Sequence, residues 1–120
     1  MTKTILLVDD QLDLRTLVRM TLEDPALHIV EAANGQEAID RARSLMPDLI
    51  LLDWMMPGLD GLEVVETLRA EDTTSQIPVV MLTSRNQKSD VDRALAAGVH
   101  THLTKPFSPL ELLQAVEQVL

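Results

Sequence analysis

A chain of 120 residues, 46% hydrophobic and 24% charged, has the size and composition of one globular domain, expected here over residues 1–120, and not those of a disordered segment. Its net charge of −9 leaves no basic surface for nucleic acid or for an anionic membrane, and the absence of cysteine removes disulfides, thiolate metal ligands and thiol catalysis. The apolar run after Lys3 stops at Val8, too short for a signal sequence or a spanning helix, so a cytoplasmic location is expected.

Short apolar runs then alternate with segments of helical period. The first run, Thr4–Val8, is followed at once by Asp9 and Asp10 and then by the stripe Leu14, Leu17, Val18, Thr21 and Leu22. A second run, His28–Glu31, leads to the stripe Ala38, Ile39, Ala42 and Leu45, which Pro47 stops. The third, Leu49–Leu52, is closed by Asp53. Beyond it Asp60 stands three residues before Glu63, as an N-cap with an acid at N3, ahead of Leu62, Val65 and Leu68.

The fourth run, Pro78–Leu82, is closed by Thr83 and precedes Val91, Ala94, Leu95 and Gly98, the glycine suiting a helix C-terminus. After the fifth, His100–Leu103, Lys105 comes two residues on. Ser108-Pro109-Leu110-Glu111 then reads as a capping box with proline in the first turn, opening the stripe Leu112, Leu113, Val116, Val119 and Leu120. The first, third and fourth runs are almost continuously apolar, as strands covered on both faces are. Five alternations of strand and helix predict an α/β domain with a parallel sheet.

The informative residues are the polar ones. Asp9, Asp10, Asp53, Thr83 and Lys105 all fall at carboxyl ends of predicted strands, the edge where open α/β sheets bind ligands. Each has an ordinary reading beside the functional one. An aspartate after a strand often caps the next helix, and Asp10 is well placed to do so; Thr83-Ser84 could open a helix, and Lys105 could be solvated. As a set they are complementary. Clustered carboxylates repel and favour a cation, and an all-oxygen set suits Mg²⁺. A lysine and a hydroxyl opposite the acids make sense if an anionic group arrives between them. An aspartate can be the nucleophile of phosphoryl transfer, and Asp53, standing alone on its strand, is the better candidate.

The stretches Ile5-Leu6-Leu7-Val8-Asp9-Asp10, Asp48 through Asp53 to Met56-Pro57-Gly58-Leu59-Asp60-Gly61, Leu82-Thr83-Ser84 and Leu103-Thr104-Lys105-Pro106-Phe107 resemble the receiver domain of two-component response regulators, over essentially the whole chain. The resemblance implies a flavodoxin-like doubly wound sheet of strand order 2-1-3-4-5 with five helices. It implies Asp53 as phosphoacceptor; Asp9, Asp10, Asp53 and the Met55 backbone carbonyl at Mg²⁺, for which Mn²⁺ can substitute; and Lys105 and Thr83 at the phosphoryl group. Thr83 and His102 would form the switch, and the Lys105–Pro106 bond would be cis. Implied partners are a sensor histidine kinase or phosphotransfer protein and an output protein on the face of the fourth helix, fifth strand and fifth helix.

Some positions depart from the family pattern. His102 stands where Tyr or Phe is usual, so coupling to Thr83 is altered. Neither Met55 nor Arg85 can orient a hydrolytic water as a carboxamide would, which predicts a persistent phosphoryl group. His100-Thr101 replaces an acidic pair, and Leu112–Leu120 lacks basic residues, so a monomer is expected. A stand-alone, non-enzymatic regulator is the favoured reading, with the N-terminal receiver of a longer regulator, for example a transcriptional one, as the alternative. A haloacid-dehalogenase phosphatase is more remote, because Met55 occupies the place of its second aspartate. A flavodoxin-like cofactor binder and an inert receiver-like module fit the acids and the intact set less well.

Overall fold

Ile5, Leu6, Leu7 and Val8 are all fully buried, because both faces of their strand are covered by helices. The computed structural model describes residues 2–120. In chain order the elements are β1 (Lys3–Val8), α1 (Leu12–Thr21), β2 (Leu27–Ala32), α2 (Gly35–Leu45), β3 (Leu49–Asp53), α3 (Gly61–Arg69), β4 (Val79–Thr83), α4 (Lys88–Ala97), β5 (Thr101–Thr104) and α5 (Pro109–Val119). The strands form one five-stranded sheet in the order β2-β1-β3-β4-β5, with every pairing parallel. This is the flavodoxin-like arrangement.

Alternation along the strands divides the interior into two cores. Leu6, Val8, Ile50, Leu52, Val79 and Met81 point to one face and pack with Ala38, Ile39, Val64, Val65, Leu68 and Ala94 of α2, α3 and α4. Ile5, Leu7, Leu49, Leu51, Val80 and Leu82 point to the other, against Val18 and Leu22 of the α1 end and Leu112 and Val116 of α5. Trp54 belongs to the first core and is almost wholly buried.

Both capping boxes form. The Asp60 carboxylate accepts from the Glu63 amide at 2.9 Å while Glu63 accepts from the Asp60 amide at 3.1 Å, and Ser108 and Glu111 repeat the exchange. Gly98 ends α4 with φ of +107°, a conformation that costs a glycine little.

The helical stripes are narrower than the leucine spacing suggests. Leu17, Leu95 and Leu113 are exposed, each one residue (about 100° of turn) from buried Val18, Ala94 and Leu112. Leu45 is exposed at the last position of α2. Strand ends also shift: Asp53 and Thr83 are the last residues of β3 and β4 rather than the first beyond them, and β5 reaches Thr104, immediately before Lys105.

Strand register brings the polar residues together at the carboxyl edge of the sheet. Val8 pairs with Leu52, so one residue on, Asp9 and Asp53 leave neighbouring strands side by side. Asp53 pairs with Leu82 and Thr83 with Thr104, which brings the ends of β4 and β5 to the same edge.

Candidate functional site

At the carboxyl edge one carboxylate oxygen each from Asp9, Asp10 and Asp53 lies within 4.8 Å of the others. Asp9 is fully buried, Asp53 is 4% exposed, and Asp10 faces solvent. Lys105 reaches in from the end of β5: its Nζ donates to Asp53 Oδ1 at 3.1 Å and to Asp9 Oδ2 at 3.2 Å. The lysine's own backbone is held to β4, its amide donating to the Thr83 carbonyl at 2.8 Å, and the Lys105–Pro106 bond is cis.

Asp10 does not cap α1. The Gln11 amide donates instead to Asp9 Oδ1 at 2.8 Å, and the N-cap residue, Gln11, makes no side-chain cap. Asp10 is thereby left pointing its charge at the cleft edge. Burial raises the Asp53 carboxyl from its ordinary value; the neighbouring charge of Asp9 adds to this, and Lys105 opposes it. Three acids against one lysine leave a net negative pocket that favours a divalent cation.

The cleft over Asp53 is lined by Asp10, Gln11, Met55, Ser84 and Lys105. An all-oxygen donor set, two of its members buried and one open to water, fits a small hard ion that keeps part of its hydration, so the residues present suit Mg²⁺. Gln11 was not among the residues singled out from sequence, and Ser84 was named there only beside Thr83, without a place at the site. Gln11 carries no signal beyond its place after the acid pair.

Thr83 is buried, and its hydroxyl accepts from the Arg85 amide at 2.8 Å. The Arg85 side chain lies over the Trp54 ring, 4.9 Å from its centroid, with Arg93 of α4 at 5.9 Å. His102 is half-buried on the edge strand opposite Met81, and among the described residues no hydrogen bond joins it to Thr83. His100 lies outside β5 and is exposed.

The family model described as "Response regulator receiver domain" matches residues 5–117. The phosphate regulon transcriptional regulatory protein PhoB of Klebsiella pneumoniae is 42% identical over 120 residues, covering 100% of this chain and 52% of the relative. The alkaline phosphatase synthesis transcriptional regulatory protein PhoP of Bacillus subtilis is 39% identical, again over 100% of this chain but 49% of its own length. The chain thus spans about half the length of the curated relatives it matches. Among solved structures, the Vibrio cholerae chemotaxis protein CheY4 superposes with a TM-score of 0.93 at 32% identity, and 100% of each chain is covered.

Proposed function

The chain belongs to the response regulator receiver family, the signalling switches of two-component systems, and from that premise we propose that Asp53 accepts a phosphoryl group from a phosphohistidine. The observation that carries the proposal is the placement of the buried Asp53 carboxylate beside Asp9, with Lys105 Nζ 3.1 Å away. An Asp53 oxygen attacks phosphorus as the bond from phosphorus to the donor's imidazole nitrogen breaks, and the nitrogen leaves with that electron pair. Lys105 then exchanges its contact with the Asp53 carboxylate for one with a phosphoryl oxygen, and the Thr83 hydroxyl donates to another. Asp9, Asp10, Asp53 and the Met55 carbonyl would hold Mg²⁺ or Mn²⁺. When bound, the ion would supply positive charge against the phosphoryl oxygens and relieve the repulsion among the acids.

Both named curated relatives are transcriptional regulators about twice as long, and this supports reading the chain as the receiver portion of a longer regulator above the stand-alone reading. A sensor histidine kinase or phosphotransfer protein is then the donor. The output element binds the face of α4, β5 and α5, which adjoins Thr83 and Lys105. The site works on its own carboxylate, so the chain acts as a switch and not as an enzyme with turnover. Acetyl phosphate with Mg²⁺ should add one phosphate to the intact mass, and Asp53→Asn should take up none. A wild-type chain left unlabelled under those conditions would overturn the proposal.

A further inference from the structure

Arg15 does more than join two elements. It lies in α1, and its side chain is only 14% exposed. Its Nη1 donates to the backbone carbonyl of Asp9 at 2.6 Å, and its Nε donates to Glu31 Oε1 at 3.0 Å. Glu31 sits on β2 opposite Leu7 of β1. Its second oxygen takes Arg19 Nε at 2.9 Å, and Arg19 donates on to the Ile29 carbonyl at 3.0 Å. The guanidinium of Arg15 is therefore fixed from behind before it reaches the acid pair.

The carbonyl it grips is informative. The Asp9 amide is already bonded to the Ala32 carbonyl at 3.2 Å, so β2 holds one side of the residue and Arg15 the other. The Asp9 carbonyl and the Asp10 amide belong to one planar peptide unit, so fixing that carbonyl sets the direction in which Asp10 leaves the strand. Asp10 has neither burial nor a helix cap to orient it. A water could satisfy a lone carbonyl. A partly buried arginine braced by a carboxylate is a stiffer device than that purpose needs.

We propose that Arg15, braced by Glu31, is a positioning residue that presents the Asp9–Asp10 pair to a divalent cation. The inference rests on the reading of the acid cluster as a cation and phosphoryl site. Partners that orient metal ligands without touching the ion change affinity by roughly 10–100-fold when removed.

The test compares wild type with Arg15→Met, Arg15→Lys and Glu31→Gln, none of which removes a carboxylate of the site. Mg²⁺ alone is titrated against Trp54 fluorescence, with Mn²⁺ binding counted by electron paramagnetic resonance and melting temperature measured in parallel. Arg15→Met should raise the half-saturating Mg²⁺ concentration about tenfold or more. Arg15→Lys should recover part of that loss, and Glu31→Gln should shift it the same way by less. At saturating Mg²⁺ the rate of labelling by acetyl phosphate should stay within about twofold of wild type, since the reacting groups are intact.

An Arg15→Met protein that binds both ions as wild type does would overturn the inference, whatever its melting temperature. Should that variant fail to fold, unchanged ion binding in Glu31→Gln would overturn it equally. A wild-type chain that binds neither ion would overturn the reading of the site and this inference with it.

Discussion

Lys105 Nζ stands 3.1 Å from Asp53 Oδ1 although 52 residues separate the two in the chain, and the same ammonium reaches Asp9. The lysine therefore occupies, in this state, the place where an incoming phosphoryl oxygen would need a positive partner. Lys105→Met should slow labelling of Asp53 by about 10²-fold, the scale seen when one preorganised charge partner is lost from an anionic transition state. Time courses of intact mass with acetyl phosphate would measure it; a loss below about threefold would remove Lys105 from the reaction.

Without metal, the acid cluster should weaken the fold near neutral pH. Burial and Asp9 raise the Asp53 carboxyl, so the folded chain binds that proton more readily than the unfolded one. Stability from this group therefore rises as pH falls through the folded value towards the unfolded one, the reverse of an ordinary paired carboxylate. In chelator, Asp53→Asn should melt higher than wild type at pH 7, and the gap should narrow as pH falls. Adding Mg²⁺ should raise the wild-type melting temperature and leave Asp53→Asn less affected. Melting curves in which Asp53→Asn is the less stable protein at pH 7 would sink the argument.

Gly61 lets α3 begin directly against the end of β3. A Cβ built there would lie 2.6 Å from the Asp53 carbonyl and 2.8 Å from Trp54 Cα, both backbone atoms with little room to yield, and the Gly61 amide donates to the Trp54 carbonyl at 2.8 Å. Gly61→Ala should cost about 1–3 kcal/mol, as over-packing of a tight contact does. Because the shift falls on Asp53, labelling should slow as well. Chemical denaturation and labelling rates would be read together; a variant unchanged in both would show that the contact relaxes freely.

The strands were legible because burial on both faces leaves little besides Leu, Ile and Val in β1, β3 and β4. Most of the candidate site was legible because Asp9, Asp53 and Thr83 close or directly follow those same strands, where a polar residue interrupts an apolar run; Lys105 instead follows the polar β5. Contacts that depend on side-chain reach were not. Nothing at Arg15 signals that its guanidinium turns back to the Asp9 carbonyl, and nothing at Arg85 or Arg93 signals that they cover Trp54. The ordinary reading of Asp10 as a helix cap, set beside its reading as a metal ligand, does not hold for a related reason: Asp9, one residue earlier, already takes the Gln11 amide. Helix stripes were over-read because leucine is tolerated in solvent at the margin of a buried band.

With Asp53 phosphorylated as proposed, Met55 would bear on how long the signal lasts. It is exposed on the wall of the cleft that contains Asp53, Gln11 and Ser84. Loss of the phosphoryl group requires a water opposite the Asp53 oxygen, and a thioether offers that water neither a donor nor a strong acceptor. A carboxamide at the same position offers both. Met55→Asn should accelerate dephosphorylation by about tenfold, the worth of one well-placed hydrogen bond of about 1.4 kcal/mol. The rate of labelling should change less, because the attacking atom there is Asp53 itself. Decay of the phosphorylated mass after removal of acetyl phosphate measures the effect directly. Equal decay in the variant and the wild type would mean that the water is oriented elsewhere, and Gln11, which lines the same cleft, would be the next residue to replace.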